Sequence, residues 1–185
     1  MIRHIDLSSV LRYTVCDLYS NLVTRPTGAA VRTEIEHLVA DSQGHTLTMI
    51  DFSHVGLLDY SCADEVVAKL LLRFSTETPP SDAYFVFRGM QEWHLDAIET
   101  ALSRYGLALV LERHDGQSQL VGDVADDEQR AWEALYRLGA ADAATIGLSL
   151  GADAVAAERL LNGLLERRLL RRLDQQYLAL GHPSL

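Results

Sequence analysis

A serine, two aspartates and a histidine lie close enough in the sequence to suggest chemistry. In the segment IDFSHVGLLDYSCADEVVAKLL, Asp51 ends an apolar run, and Asp59 and Ser61 directly precede a stretch with helical spacing. A serine with an aspartate and a histidine, here His54 or His94, is the set that many hydrolases use for nucleophilic attack. The sequence has no G-x-S-x-G elbow and no glycine-rich oxyanion loop, so a hydrolase is disfavoured.

Other catalytic and cofactor-binding motifs are missing from the sequence. The seven histidines never form HxH, HExxH or a Cys/His quartet, which are the spacings of local metal sites. Neither GxxxxGK[ST] nor GxGxxG occurs, so no phosphate-binding loop is indicated. We therefore expect a protein without enzymatic activity, cofactor or metal. If Ser61 is phosphorylated, the kinase must be another protein.

The composition restricts the class of protein further. The chain has 185 residues, is 48% apolar and carries a formal net charge of −10. This balance predicts a folded protein and disfavours nonspecific binding to nucleic acid or anionic membranes. Cys16 and Cys62 are far apart and lack metal or disulfide spacing, which fits a reducing cytosol. The sequence contains no uncharged run of about 18 residues, the length that would predict a membrane span. We therefore expect a cytoplasmic protein without a membrane partner.

The first two thirds of the sequence alternate between strand-like and helix-like patterns. The strand-like segments are IRHIDLSSVL, HTLTMIDFSHV, AYFVFRGM, LALVLE and SQLV. Between them apolar residues follow helical spacing, with one helix opening at Pro26 and another closing at Gly106. The order β-α-β-α-β-α-β-β predicts an α/β sandwich over residues 1–123, with a hairpin turn at His114-Asp115-Gly116-Gln117.

The last third, residues 126–185, predicts a separate small domain. Asp126 is a candidate N-cap of a first helix that stops at Gly139, and a second helix stops at Gly151. A third helix of about 153–168 has a continuous leucine stripe, and two short apolar arms flank Asp174 as in a β-hairpin. Three short helices followed by a hairpin predict a winged helix-turn-helix.

The segment around Ser61 resembles the STAS domains of anti-sigma-factor antagonists. In that family a strand ending D-[LF]-S-x-V is followed by an apolar pair, an aspartate, a variable residue and a serine that opens a helix. The matching residues here are Asp51, Phe52, Ser53, Val55, Leu57, Leu58, Asp59 and Ser61. The likeness extends more loosely over residues 1–123 and implies a STAS-like sandwich of a mixed sheet with helices. It also implies that Ser61 is a regulatory phosphoacceptor, although Tyr60 stands where the family often has serine or threonine and Cys62 where it usually has glycine.

Two interpretations of Ser61 stay open at this point. Ser61-Cys62-Ala63-Asp64 has the spacing of a capping box, in which the serine accepts from an otherwise unpaired amide. A phosphate there would add about −1.5 to −2 charges and would repel the neighbouring acidic side chains. The expected partner, by resemblance an anti-sigma factor or a serine kinase, would contact a surface made of Asp51, Ser53, Asp59, Tyr60, Ser61 and Cys62. Cys62 could instead be a packing residue, and the two aspartates could serve only to order their loops.

The C-terminal domain offers the alternative function of a DNA-binding regulator with a STAS-like sensing or dimerisation domain. The candidate phosphate contacts are Arg159, Arg167, Arg168, Arg171 and Arg172. Arginines also favour helix C-termini without any ligand, and the acidic chain favours a protein partner over DNA. Gly163, in the middle of the third helix, suggests close packing against another segment.

Overall fold

The computed structural model describes residues 2–15, 20–40, 46–76 and 78–182. Within those residues the chain forms seven helices and eight strands, which confirms the predicted α/β class. The helices are α1 (Leu7–Thr14), α2 (Arg25–Ala40), α3 (60–74), α4 (Glu92–Ser103), α5 (Asp126–Leu138), α6 (Ala143–Leu150) and α7 (Ala154–Glu166). The strands are β1 (Ile2–Asp6), β2 (Thr46–Asp51), β3 (Ala83–Arg88), β4 (Ala108–Glu112), β5 (Ser118–Gly122), β6 (Ala140–Ala141), β7 (Leu170–Leu173) and β8 (Gln176–Ala179).

The strands form two sheets, and the chain forms two compact units. β1 to β5 make a mixed five-stranded sheet, and β6 to β8 make a three-stranded one. The units are Met1–Leu107 and Ala108–Leu185. The sequence pattern predicts a domain boundary later in the chain, between residues 123 and 126. That domain organisation stays a prediction. None of the described helices is both long enough and apolar enough to cross a membrane.

In the first unit, three parallel strands bring polar side chains to one edge. β1 pairs with β2 and β2 with β3, so that Asp6, Asp51 and Arg88 are neighbours at the carboxyl ends of the strands. The predicted N-terminal strand is wrong beyond Asp6, because the carboxylate of Asp6 accepts from Ser8 N at 3.0 Å and starts α1. Leu7, Val10 and Leu11 have the helical spacing i, i+3, i+4 and form the buried face of α1, but the strand pattern runs directly into them, and the boundary at Asp6 was not predicted.

Helix α3 is continuous but changes its winding in the middle. Tyr60–Ala63 and Leu70–Phe74 are α-helical, whereas Asp64–Lys69 form a π-helix. Every residue from Asp64 to Ala68 in this segment is buried. Short π segments occur frequently at functional sites, and this one begins three residues after Ser61.

Helix α2 lies against the beginning of α3 with no room for a side chain at Gly28. A Cβ atom on Gly28 would stand 3.0 Å from both the Cα of Cys62 and the Cβ of Glu65. Such a Cβ is closer to its neighbours than good packing tolerates, so either α2 or α3 would have to move. Glycine at this position therefore sets the spacing between the two helices.

The second unit contains the hairpin β4–β5 and the predicted arrangement of three helices and a terminal hairpin. β7 and β8 are antiparallel, with Asp174 at positive φ in their turn, and β6 adds to the other side of β8. Gly139 and Gly151 end their helices at positive φ, as predicted. Asp126 is not the N-cap of α5: Ala125 holds that position, and its amide donates to Glu128 Oε2 at 3.2 Å.

The core of the second unit is built around a buried tryptophan. Trp132 is 1% exposed, stacks on Tyr136 at 5.0 Å and donates from Nε1 to Leu169 O at 3.0 Å. The leucine stripe of α7 is buried at Leu161 and Leu164. The close packing suggested for Gly163 is wrong, because the nearest atom to a Cβ there would be Glu128 Oε1, at an ordinary contact distance of 3.7 Å.

Alanine at the two helical glycines should change stability in opposite directions. Gly163→Ala should raise the free energy of unfolding by about 0.5 to 1 kcal/mol, because alanine has the higher helix propensity and a methyl group fits at an ordinary contact distance. Gly28→Ala should lower it by about 1 to 3 kcal/mol, the usual cost of overpacking. Urea unfolding followed by circular dichroism measures both variants, and equal shifts of the same sign would contradict the packing described for Gly28.

Candidate functional site

The carboxylate of Asp59 joins three segments at the start of α3. Its Oδ1 accepts from Cys62 N and from Ser61 Oγ, each at 2.8 Å. Its Oδ2 accepts from Thr24 N at 2.9 Å. Asp59 has extended backbone angles and is the N-cap, whereas Ser61 already lies inside the helix. The predicted capping role of Ser61 is therefore wrong: its half-buried hydroxyl donates to the cap.

Residues 20–24 run beside the loop that precedes Asp59. Leu22 N donates to Leu57 O at 2.8 Å, and Asp59 N donates to Leu22 O at 3.0 Å, which makes a short parallel bridge between Leu22 and Leu58. Asn21 adds a side-chain bond, since its Oδ1 accepts from Leu57 N at 2.9 Å. The loop 56–59 is thus fixed along its backbone by a segment more than thirty residues earlier in the chain.

Asp51 holds the beginning of the same loop. Its Oδ2 accepts from Nε and Nη2 of Arg88, each at 2.9 Å, and its Oδ1 accepts from Ser53 N at 2.8 Å. Gly89 has φ +70, and a Cβ there would stand 2.3 Å from Ser53 Oγ. Burial acts to raise the pKa of Asp51, but the bonds from Ser53 and Arg88 outweigh it and lower that pKa. Asp51 therefore orders the loop, while the side chain of Ser53 is exposed.

A buried histidine fixes the middle of the loop. His94 is fully buried, its Nδ1 accepts from Gln91 N at 3.1 Å, and its Nε2 lies 2.8 Å from Gly56 O. Since Nδ1 accepts, Nε2 carries the proton and donates to the carbonyl. Both ring nitrogens of His94 are thereby hydrogen-bonded. The other candidate histidine, His54, is exposed, and its Nδ1 lies 3.9 Å from Asp6 Oδ1. The hydroxyl of Ser61 donates to Asp59 and not to a histidine, so the serine–histidine pair considered for a hydrolase is not assembled in this structure.

Two large apolar side chains lie exposed around this loop. Leu57 is 61% exposed and Trp93, at the start of α4, is 62% exposed. The indole Nε1 of Trp93 donates to Gly56 O at 3.3 Å, so the two side chains flank the same short piece of backbone. Tyr60 is half-buried, and its hydroxyl accepts from Arg104 Nη1 at 3.2 Å. We call the exposed surface of residues 53–61 and Trp93 the loop surface.

Cys62 lies beneath the loop surface and not on it. Its side chain is fully buried, and Sγ is 2.9 Å from Thr24 O. Burial, reinforced by the charge of Asp59, raises the pKa of the Cys62 thiol to about 12. Because a thiol must ionise to react, Cys62 is a packing residue, and we leave it out of the loop surface. Cys16 lies outside the described residues.

A buried ionic cluster supports the π segment of α3. Asp64 and Glu65 are 1% and 3% exposed, and Arg25 Nη1 reaches both, at 2.6 and 2.7 Å. Lys69 also contacts both carboxylates, and Tyr105 OH donates to Asp64 Oδ1 at 3.0 Å. Burial acts to raise the pKa of each acid, but hydrogen bonds to its neighbours, from Arg25 above all for Asp64 and from Lys69 for Glu65, lower it. The cluster was not predicted, although two adjacent acids inside an apolar helix were a signal of it.

The candidate DNA contacts of the second unit differ in their availability. Arg167 donates to Glu128 Oε2 at 2.9 Å and supports the packing of α5 against α7. Arg172 is exposed, lies over the Tyr177 ring at 5.2 Å and donates to Asp174 O. Arg171 is half-buried on β7, and Arg168 is half-buried with positive φ.

Helix α7 presents an open groove beside these arginines. Its lining residues are Val155, Glu158, Arg159, Asn162, Gly163 and Glu166. Arg159 is exposed there, whereas Asn162 accepts from the buried Tyr177 hydroxyl at 2.7 Å. The groove thus carries two carboxylates for one arginine.

No group of three metal-ligating side chains comes together among the residues that the structure describes. Comparison of the chain with the models of known protein families gives no match. Comparison with curated protein sequences gives none either.

Asp59→Asn should lower stability at neutral pH and lose that effect in acid. Burial acts to raise the pKa of Asp59, but the bonds from Thr24, Cys62 and Ser61 outweigh it and lower that pKa. The ionised carboxylate therefore stabilises the fold above the unfolded pKa of about 4, and the gain is lost as pH falls through the lower folded-state value. Asparagine would face Thr24 N with an NH2 group, so we expect a loss of about 1 to 3 kcal/mol at pH 7.

Urea unfolding at neutral and at strongly acidic pH measures this difference. The gap between wild type and Asp59→Asn should narrow in acid. Asp96→Asn, at an exposed position of α4, is the matched control and should stay within about 0.5 kcal/mol of wild type. An Asp59→Asn effect that is equally large at both pH values would show that the charge is unimportant.

Proposed function

We propose that this chain is a non-enzymatic, cytoplasmic regulatory protein that binds a partner protein through its loop surface, and that phosphorylation of Ser61 releases the partner. By resemblance residues 1–123 are a STAS-like module, and the partner is an anti-sigma factor or a related serine kinase in transcriptional or stress signalling. Residues 126–185 are a winged-helix-like domain in this proposal.

The observation that carries the proposal is the hydrogen bond from Ser61 Oγ to Asp59. Phosphorylation would replace the donated proton by a group of about −1.5 to −2 charges, next to a carboxylate that now lies 2.8 Å from the oxygen. The repulsion would drive Asp59 away from its other partners. Because the same carboxylate holds Thr24 N, a modification at one hydroxyl would loosen both residues 20–24 and the loop beside them.

The loop surface has the character expected of a protein-binding site. Exposed Leu57 and Trp93 offer apolar area, and aromatic residues with a fixed orientation are enriched at the energetic centres of interfaces. The backbone beneath them is held by Asn21, His94 and Asp59. A preorganised surface binds with less loss of conformational freedom, so loosening the loop would weaken binding.

Ser61→Glu should abolish capture of the partner, whereas Ser61→Ala should keep it. The measurement uses the full chain as bait in nuclease-treated host lysate, with quantitative mass spectrometry of the retained proteins. Glutamate places a carboxylate against Asp59, and alanine leaves the Asp59 bonds to Cys62 and Thr24 in place.

Thr33→Glu is the matched control, because it adds the same charge at an exposed position of α2. It should retain the partner as wild type does. A Leu57→Ser variant identifies the surface, since a partner bound there should be lost without any change at Ser61. Identical capture by wild type, Ser61→Glu and Leu57→Ser would refute the proposal.

DNA binding by the second unit is the second candidate function. The observation that favours it is the hairpin β7–β8, which carries Arg171 and Arg172 on a chain that is otherwise acidic, with Arg159 exposed on α7. Arginines on a hairpin can contact phosphates beside a helix in the major groove. Arg167 is not part of this candidate, because its guanidinium is paired with Glu128.

If this candidate is correct, the double variant Arg171→Gln, Arg172→Gln should weaken binding to a labelled duplex. Wild-type binding should also fall steeply between about 50 and about 200 mM salt, since phosphate contacts release counterions. Fluorescence anisotropy measures both effects. Arg130→Gln, Arg137→Gln on α5 removes the same charge from exposed positions, and an equal loss in both double variants, or no binding at low salt, would exclude a specific role for the hairpin.

A further inference from the structure

Helix α4 carries an unneutralised row of carboxylates next to Trp93. Glu92, Asp96 and Glu99 are all exposed and follow the spacing i, i+4, i+7, which places them on one face of the helix. Within the part of the chain that the structure describes, no ion pair reaches any of the three. The opposite face of the helix is buried through His94, Ile98, Ala101 and Leu102.

This row costs stability in the free protein. Like charges at i, i+3 and i, i+4 repel each other on a helix, and α4 has no basic residue in its last turn to offset them. Only Glu92 lies in the first turn, where the helix dipole favours an acid. A partner that supplied cations along this face would relieve the repulsion, and Trp93 beside the row would give it an apolar anchor.

We infer that the partner segment is a cationic amphipathic helix that lies along α4, with an apolar side chain against Trp93 and Leu57 and with lysines or arginines against Glu92, Asp96 and Glu99. α4 has 12 residues, and at 1.5 Å per residue its face is about 18 Å long. A helix presents its own side chains at i, i+4 and i+7, which is the spacing of the carboxylates. This inference rests on the proposed function, because it names the chemistry of the partner at the loop surface.

The inference also determines how the switch at Ser61 must act. A phosphate near the loop surface would attract a cationic partner and not repel it. Release must therefore come from breaking the Asp59 hydrogen bonds, which would leave Leu57 and Trp93 without fixed positions, and not from charge alone. Ser61→Glu consequently reports which effect is larger: loosening weakens the binding of a cationic helix, whereas simple attraction strengthens it.

The probe is a labelled helical peptide with a leucine stripe and lysines at i, i+4 and i+7, measured against the full chain by fluorescence anisotropy at physiological salt. We expect it to bind at least about tenfold more tightly than a peptide with the same leucines and glutamine for lysine. A peptide with the same composition in scrambled order should bind weakly. Trp93→Ala, and separately the triple variant Glu92→Gln, Asp96→Asn, Glu99→Gln, should each weaken binding by about tenfold or more.

The matched control is Glu133→Gln, Glu158→Gln, Glu166→Gln, which removes the same charge from exposed positions of α5 and α7. It should change affinity by less than about twofold. An equal loss in both triple variants, equal binding of the glutamine or scrambled peptide, or no binding of the lysine peptide would each overturn the inference. Circular dichroism tests whether every variant is folded. If Trp93→Ala is unfolded, the triple variant alone decides the outcome.

These results separate the inference from the proposed function. If the lysine peptide binds at α4 and Ser61→Glu leaves its affinity unchanged, the partner chemistry stands and the switch fails. If the lysine peptide does not bind but Ser61→Glu still abolishes capture of a lysate partner, the switch stands and the cationic helix is wrong.

Discussion

The ionised carboxylate of Asp59 is the interaction on which the organisation of the first unit depends. It caps α3, receives the hydroxyl of Ser61 and holds the backbone of Thr24. Thr24 has φ +73, a left-handed conformation that non-glycine residues rarely adopt, and the bond from its amide stabilises the segment there. The chain then enters α2 at Arg25, and Gly28 in the first turns of that helix lies against Cys62. One side chain thus holds the segments at which two helices begin, and Gly28 sets how closely those helices pack.

The loop between β2 and α3 is held at both ends by carboxylates and in the middle by a histidine. Asp51 orders its beginning through Arg88 and Ser53, Asp59 orders its end, and His94 donates to Gly56 O. These bonds pair polar backbone groups of the loop on its inner side. The apolar side chains of Leu57 and Trp93 are consequently left on the outer side, where burying them requires a second molecule. Rigidity of the backbone and exposure of large side chains are two results of one hydrogen-bond arrangement.

Apolar periodicity was sufficient to predict the alternating strands and helices and the stops at Gly139 and Gly151. It did not separate α1 from β1, although Leu7, Val10 and Leu11 have helical spacing, because the strand pattern before Asp6 runs directly into the helix that Asp6 caps. Nor could it distinguish the cap from its neighbour: Asp59 and Ser61 are both good capping residues, and the choice depends on Thr24, which is distant in sequence. The buried pair Asp64 and Glu65 was missed for the same reason, since its burial requires cations from another helix.

The position of Ser61 explains why a single modification there could act over a distance. The serine is not the cap itself, so the free protein keeps α3 intact whichever way the hydroxyl points. It is bonded to the cap, so a negatively charged group on its oxygen would repel the cap carboxylate directly. The next acids along α3, Asp64 and Glu65, are already paired with Arg25 and Lys69. These two cations are therefore occupied and do not balance a new charge at Ser61. Asp59 is therefore the nearby acid whose balance a new charge at Ser61 would upset, and its displacement frees the backbone on both sides of the loop.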